Sequence, residues 1–234
     1  RRQRQMCIRD REEAAKAPND PNAQGRKKHA GDAIFEDVNN DGQLDSKDMI
    51  FMGYVRPDKV GGIINTLKYK GLTVRIVMDW AMGHVIDNGF KGQIMGSSRN
   101  NNNAIKEAMT NSWQSANDGS KYPKYTVQSD YDYQYRNHMR WDNQIGSSAS
   151  GSTNNSLYFS KGDYLAFREV SLSYMLPLSW IRKMRLSAVE VFAGAYNIGY
   201  IKKYDGMFPE IYTGVDYGIY PRPRQYNMGV KINF

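Results

Sequence analysis

The last eleven residues of the chain alternate between two kinds of side chain, and this pattern constrains the fold more than any other feature. One set is mainly apolar and aromatic and comprises Arg224, Tyr226, Met228, Val230, Ile232 and Phe234. The intervening residues are polar or small, namely Gln225, Asn227, Gly229, Lys231 and Asn233. Because successive side chains of a β-strand point to opposite faces of the sheet, the alternation predicts a strand with one apolar and one polar face.

Four further segments show the same period and are predicted as strands: 63–70, 72–82, 170–176 and 186–198. Leu165 and Phe167 have the opposite parity to 170–176, which predicts a β-bulge near Arg168 and Glu169. Strands of soluble sandwiches average about five or six residues. Tilted strands of about 9–11 residues, closer to the lengths seen here, cross a bilayer in β-barrels.

The connections between these strands are alternately short and long. Lys70-Gly71 and 177–185 are short, whereas 83–162 and 201–221 are long. Outer-membrane barrels alternate short periplasmic turns with long outer loops in this way. Aromatic residues near the predicted strand ends fit the interfacial girdles of such barrels; they are Tyr69, Trp80, Tyr174, Tyr200, Tyr226 and Phe234. The polar face would line a wet lumen with Arg75, Asp79, Glu190, Lys231 and Asn233.

The predicted fold class is therefore all-β: the last five or so antiparallel strands of a large transmembrane barrel with long extracellular loops. Five strands alone cannot close, because small barrels need about eight and large transporters about 22. Lipid does not tolerate unpaired strand edges. Residues 60–234 carry the strands, and 12–59 are predicted as an extracellular loop region. The alternative is a soluble β-sandwich with one wet face.

Composition excludes several other classes of protein. No run of about 18 apolar residues exists, so a helical membrane protein is excluded. The single cysteine, Cys7, excludes a disulfide framework and a thiolate zinc site. No phosphate-binding or dinucleotide motif is present, and His29, His84 and His138 lack the partners of a catalytic or metal triad, so we predict no enzyme.

Residues 1–11 distort the charge of the chain. They contain five arginines and one aspartate, and without them the formal net charge falls from +8 to +4. They show no helical or strand period, and Met6-Cys7-Ile8-Arg9-Asp10-Arg11 resembles translated sequencing-adapter DNA, so we expect a non-native leader. The remaining cations are scattered without a nucleic-acid-binding motif, so no nucleic-acid partner is predicted.

An acidic loop at 37–48 has the oxygen-ligand spacing of an EF-hand-type calcium loop. The ligands would be Asp37, Asn39, Asp41, Gln43 through its carbonyl, Asp45 and Asp48, with Gly42 at the sharp turn. Asp48 departs from the pattern, because a longer Glu usually binds bidentately there. The alternative is an acidic turn closed by Asx hydrogen bonds with no ion.

The long loop 83–162 concentrates aromatic side chains among hydrogen-bonding ones. Its candidate contact residues are Trp113, Tyr131, Tyr133, Tyr135 and Trp141. Flat rings beside polar groups suit a sugar, whereas Tyr, Trp and Arg are also enriched at protein interfaces. A third interpretation is that these side chains pack the loop onto itself.

Several motifs resemble the SusC/RagA-type TonB-dependent outer-membrane transporters. They are 163–177 (DYLAFREVSLSYMLP), Val191 with Asn197-Ile198, Phe208-Pro209-Glu210, and 220–226 (YPRPRQY) leading to Phe234. Gly31-Asp32 and the acidic loop resemble the loop that these proteins carry before their last strands. Two positions depart from the family pattern: Ala166 replaces a usual basic residue, and Ala195-Tyr196 replaces a usual Gly-Gln.

The resemblance implies an energy-coupled importer located in the outer membrane, with a plug, a TonB-contacting segment and a SusD-like lipoprotein lid. Its substrates would be oligosaccharides or peptides, and Phe234 would be the signal read by the barrel-assembly machinery. The chain begins at Arg1 without signal peptide, plug or TonB segment, so we expect an inactive fragment. The alternative function is a secreted calcium-dependent carbohydrate-binding β module.

The alternation of loop lengths also predicts orientation. Phe234 would end in the periplasm, with 177–185 and Lys70-Gly71 on the same side and loops 37–48, 83–162 and 201–221 outside. A cysteine at Ser148 would then be labelled on whole cells, and one at Ser179 would not.

Overall fold

The structure, a computed structural model, describes residues 5–7, 11–19, 25–98, 105–116, 118–120, 122–127 and 156–234. The described strands are β1 (Gln5–Cys7), β2 (Ala33–Phe35), β3 (Lys59–Tyr69), β4 (Leu72–Met82), β5 (Val85–Asp87), β6 (Ser97–Ser98), β7 (Thr126–Val127), β8 (Phe159–Lys161), β9 (Tyr164–Met175), β10 (Ala188–Lys202) and β11 (Gln225–Asn233). The described helices are α1 (Arg11–Ala15), α2 (Gly89–Gly96), α3 (Lys106–Thr110) and α4 (Leu178–Ile181). Short 3₁₀ turns lie at Ser46–Asp48, Ser156–Tyr158 and Arg182–Met184.

The chain divides into two compact units. One unit comprises Arg1–Gly53, Val85–Ser160 and Ile211–Gly218, and the other comprises Tyr54–His84, Lys161–Glu210 and Ile219–Phe234. The residues between strands β4 and β9, predicted as one long loop, thus belong mostly to the unit that contains the N-terminal region.

The second unit is built on a five-stranded antiparallel sheet in the order β11-β10-β9-β4-β3. Its strands have 11, 11, 12, 15 and 9 residues in chain order, which confirms the long strands predicted from the alternation. Tyr69 pairs with Leu72, so β3 and β4 are joined by the two-residue turn Lys70-Gly71. Both turn residues have positive φ, 45° and 86°, as a tight hairpin turn requires.

The pairing register sorts the side chains of this sheet onto two faces. One face is apolar, and its exposed members include Ile63, Leu67, Tyr69, Leu172, Val191, Tyr226, Met228, Val230 and Ile232. The predicted polar set lies together on the opposite face, in register across the strands: Arg75, Asp79, Glu190, Lys231 and Asn233. Val60, Ile64 and Phe192 also lie on that face, so it is mixed rather than wholly polar.

The predicted bulge is present in β9. Glu169 pairs with Val77 while Phe167 pairs with Met78, so Arg168 is the extra residue. Strand β10 is irregular beside it, with two unpaired residues between Tyr196 and Gly199 and a left-handed backbone at Asn197 (φ 50°). The bulge keeps Phe167 on the apolar face and lets Arg168 reach Asp79 on the polar face.

The girdle prediction was wrong for Tyr200. Tyr200 pairs with Ala166, which pairs in turn with Asp79, so these residues share the polar face. The two extra residues of β10 preserve its parity, and Tyr200 stays on the same side as Tyr196. Tyr69, Trp80, Tyr174 and Tyr226 do lie on the apolar face.

The first unit is made of short elements around a small core. The buried residues of one cluster are Ala33, Ala108, Tyr122 and Tyr158. Strand β1 pairs antiparallel with β2, through Gln5 and Phe35 at one end. Residues 5–7 thus form a strand although 1–11 show no strand period, because backbone pairing needs no hydrophobic period, and the non-native leader stays a prediction.

Candidate functional site

A cluster of charged groups around one buried carboxylate lies at the end of the polar face where the β10–β11 loop returns to the sheet. Its centre is Glu210, whose side chain is 1% exposed. Two arginines reach it from different parts of the chain. Arg168 contacts Oε1 through Nη2, and Arg222 places Nη2 3.2 Å from Oε2. The cluster therefore joins strand β9, the β10–β11 loop and the segment just before β11.

Arg168 is the bridging group of this cluster. Its Nη2 donates to Oδ2 of Asp79 at 2.8 Å, and its Nε contacts Oδ1 of the same carboxylate. Its Nη1 donates to the hydroxyl of Tyr200 at 3.2 Å. The Tyr200 hydroxyl in turn donates to Oε1 of Glu210 at 2.9 Å. Two carboxylates and two guanidinium groups balance in charge, which is how buried ionic groups are normally accommodated.

Aromatic rings enclose these charges. Tyr200 packs edge-on against Tyr164 and Phe208, with ring centroids 5.9 Å and 5.8 Å apart. The guanidinium of Arg222 lies 5.9 Å from the Phe208 ring centroid. Ala166 is 1% exposed and packs with Tyr164 and Tyr200. The SusC/RagA-type proteins that the sequence resembles usually have a basic residue at this position. The small side chain of Ala166 leaves room here for the Tyr200 ring.

The sequence pointed to single members of this cluster but not to the cluster itself. Asp79 was predicted to line the polar face, Arg168 to lie at a bulge, and Glu210 to belong to a family motif. No local spacing links them, because 89 residues separate Asp79 from Arg168.

A second polar group lies at the ends of β4 and β9, outside both strands. Asp163 accepts the backbone N–H of Gly83 at 2.8 Å and the ammonium of Lys203 at 3.0 Å. Burial raises the pKa of Asp163, but the bonds from Gly83 and Lys203 outweigh it, and the pKa lies below its usual value. His84 is 6% exposed, and its Nδ1 has no hydrogen-bond partner among the described residues. Burial lowers the pKa of His84 despite the opposing charge of Asp163.

The acidic loop is closed by its own side chains. Asp37 accepts the backbone N–H of Gly42 at 2.7 Å, and Asp41 accepts that of Gln43 at 2.9 Å. Bonds from Gln43 and Asn39 lower the pKa of the exposed Asp41 carboxyl. Asp48, which is 0% exposed, accepts from the backbone of Val38 at 3.0 Å and of Asp45 at 2.7 Å.

These bonds use carboxylate oxygens that a calcium ion would need. Asn39 donates to Asp41 at 2.9 Å, and Asp45 accepts the backbone N–H of Lys47 at 2.7 Å. Within the described ranges, no group of three or more His, Cys, Asp or Glu side chains is arranged to hold a metal ion. These hydrogen bonds close the loop, and calcium binding stays a prediction.

The candidate contact residues of the long loop fall in two groups. Trp113 is half-buried, with its ring against Gly31, where an added Cβ would overlap the indole. It lines an open cleft of about 970 Å³ together with residues of 14–19 and 25–30. Tyr131, Tyr133, Tyr135 and Trp141 lie outside the described residues, so their grouping is not tested.

The terminal residue lies at the end of the predicted last strand. Phe234 is 93% exposed, and its backbone carbonyl accepts the hydroxyl of Ser187 at 3.1 Å. Its role as an assembly signal stays a prediction. Within the described part of the chain, no helix is long and apolar enough to cross a membrane.

Comparisons with known proteins agree with the family resemblance. No protein-family model matches the sequence. Two curated proteins of Formosa agariphila, TonB-dependent receptor P3 and TonB-dependent receptor P26, are 25% and 23% identical to it over 216 residues, which cover 87% of the chain. The chain spans about a fifth of the length of these relatives (19% and 20%).

Solved structures give the same result for the fold. Structures of the RagAB peptide transporter, and of the RagAB peptide importer in its open-open state, match the whole chain with TM-scores of 0.63 and 0.64. The sequence identities are 20% and 18%, and the chain covers 22% of each matched chain. The predicted fold, an antiparallel sheet that is part of a large β-barrel, is confirmed, as is the resemblance to TonB-dependent receptors.

Proposed function

We propose that the chain forms the last strands of an energy-coupled nutrient importer in the outer membrane, as part of an integral β-barrel. The observation that carries this proposal is the two-faced sheet of long strands. Tyr226, Met228 and Val230 of β11 are 73%, 87% and 57% exposed on its apolar face. Such a continuous apolar surface is costly in water and favourable against lipid.

The edges of the sheet support a larger barrel. Strands β3 and β11 each have one partner strand among the described residues. An open edge in hydrocarbon would leave backbone groups unpaired, at a cost of several kcal/mol for each group. The remaining four-fifths of a protein as long as the curated relatives would supply the missing strands. We therefore infer that this part of the chain is inactive in transport when alone.

The polar face would form part of the inner wall. A hollow of about 420 Å³ on this face is lined in part by Thr66, Thr73, Ser171 and Ser173. Beside it, Arg75 and Glu169 form an ion pair at 3.4 Å. Hydroxyl-bearing residues and paired ionic groups suit a water-filled passage. We therefore propose that the protein is a transporter and not an enzyme.

The partners and cargo follow by analogy with the relatives. We propose oligosaccharides or peptides as substrates, the TonB complex as energy source, a SusD-like lipoprotein as lid, and the barrel-assembly machinery as reader of Phe234. Trp113, Tyr131, Tyr133, Tyr135 and Trp141 would contact the lid or support the outer loop, in preference to direct contact with sugar.

Expression of the complete protein tests this proposal. We expect it in the outer-membrane fraction, with a band whose electrophoretic mobility changes on heating. A strain lacking it should lose growth on the imported oligosaccharide or peptide, and the gene should restore growth. A soluble monomer that binds sugar only with calcium would favour the alternative, a secreted carbohydrate-binding module.

A further inference from the structure

The turn between β9 and β10 combines exposed apolar side chains with positive charge. Leu178, Trp180 and Met184 are 57%, 64% and 59% exposed. The turn also carries Arg182, Lys183 and Arg185, and no acidic residue occurs from 170 to 189. We call residues 177–185 the basic turn. Exposed Trp with flanking cations is typical of segments that lie at a membrane interface.

The basic turn is an ordered structure and not a frayed loop. Helix α4 is followed directly by the 3₁₀ turn Arg182–Met184. Ile181 is 1% exposed and anchors this short helical segment to the protein. The backbone of Trp180 donates to Pro177 at 2.9 Å, and Arg185 ends the turn in a left-handed conformation with φ 58°. The exposed side chains are thus presented on a fixed support, which lowers the entropic cost of binding.

We propose that the basic turn binds the anionic phospholipid surface of the membrane that the strands cross. Trp180, Leu178 and Met184 lie in the boundary between headgroups and acyl chains, and the three cations contact the phosphates. This inference rests on the proposed function, since it needs the strands to cross a bilayer.

Two observations favour lipid over a protein partner. The turn continues directly from β9 and β10, whose apolar residues Tyr174 and Val191 lie on the face assigned to lipid. Its net charge of +3, from three cations and no acid, complements phosphate headgroups without requiring a matched acidic surface. Each cation near an anionic leaflet strengthens binding by roughly fivefold.

The test uses the complete protein, in a background without other cysteines, reconstituted in nanodiscs. The probe is an environment-sensitive NBD label on Trp180→Cys, with Ser179→Cys as the neighbouring control on the same helix. Bilayers contain phosphatidylcholine with or without phosphatidylglycerol. We expect blue-shifted emission at 180 that shallow spin-labelled lipids quench, more strongly with phosphatidylglycerol, and water-like emission at 179.

A third label separates the inference from the proposed function. Met228→Cys, on the apolar sheet face, should report the bilayer interior. If the label at residue 228 lies in lipid but the label at residue 180 lies in water, the inference is wrong and the proposed function stands. The same conclusion holds if the label at residue 180 becomes shielded only when a soluble protein is added. If 228 is in water, the proposed function fails as well.

Charge variants complete the test. The triple change R182Q/K183Q/R185Q should abolish the response to phosphatidylglycerol, whereas Lys231→Gln on the polar face should leave it unchanged. An unchanged response in the triple variant would overturn the inference. If the Trp180→Cys variant does not fold, the Trp180→Phe variant is used in its place. We expect this variant to lose the part of the tryptophan fluorescence that brominated lipids quench in the wild-type protein.

Discussion

Replacing Glu210 should release the β10–β11 loop from the polar face of the sheet. In Glu210→Ala the guanidinium of Arg168 loses one of its two carboxylates, and the Tyr200 hydroxyl loses its acceptor. In Glu210→Gln the side-chain shape is kept, the negative charge is removed, and one acceptor oxygen becomes an NH2 donor. The pair of variants thus separates charge from packing.

The expected cost follows from burial and from the partners that remain. Removing one member of a buried ion pair costs about 3–5 kcal/mol. Arg168 keeps Asp79, and Arg222 is half exposed, so solvent screens part of the loss. We therefore expect about 3 kcal/mol for Glu210→Ala and about 2 kcal/mol for Glu210→Gln.

Hydrogen exchange on the complete protein in detergent measures this effect locally. A cost of about 2–3 kcal/mol corresponds to roughly 30- to 150-fold faster exchange of protected amides in peptides covering 203–210. Glu190→Gln is the matched control, because Glu190 lies on the same face and the change in net charge is identical. It should accelerate exchange in those peptides by no more than about fivefold. Equal exchange rates in the Glu210 and Glu190 variants would refute the anchoring role of Glu210.

Three other properties are open to direct measurement. Burial lowers the folded pKa of His84 below its usual value of 6.5, so its contribution to stability is present above that pH and is lost as the pH falls through the folded pKa. His84→Gln should flatten this loss of stability in urea unfolding, and an unchanged slope would contradict the reasoning. A Cβ at Gly61 would overlap the Trp80 ring, so Gly61→Val should lower the free energy of unfolding by about 1–3 kcal/mol. An unchanged unfolding midpoint would show that the ring moves freely. Calcium binding by the acidic loop predicts heat in a calorimetric titration that disappears in Asp48→Asn, and a wild-type protein without heat would exclude the calcium site.

The strands of the sheet and their two faces could be predicted from the sequence, because the alternation that defines them is a local pattern. Alternation along 72–82 and 224–234 sorts side chains onto faces, and the reversed parity of Phe167 located the bulge before any pairing was known. Tyr200 shows where such reasoning failed: closeness to a strand end suggested an interfacial ring, although its parity with Tyr196 already placed it on the polar face.

The ionic cluster could not be predicted in the same way. Its members come from β4, β9, the loop before Ile211 and the segment before β11, and only the fold brings them together. Local composition says that Glu210 follows Pro209, but not that two distant arginines enclose it. The acidic loop was a different case, because its spacing predicted a calcium loop with an Asx-closed turn as the alternative. The structure has the Asx-type hydrogen bonds, and calcium binding stays a prediction.

The pairing of β4 with β9 has a consequence for the order in which this part of the protein assembles. Strands β3 and β4 are joined by two residues, and β10 and β11 by about twenty, whereas about eighty separate β4 from β9. Closing the longest segment costs about 1 kcal/mol more in chain entropy than closing the β10–β11 loop. We therefore expect the β3–β4 hairpin and the β9–β10–β11 meander to form first as separate pieces, with the β4–β9 seam as the last and slowest to close.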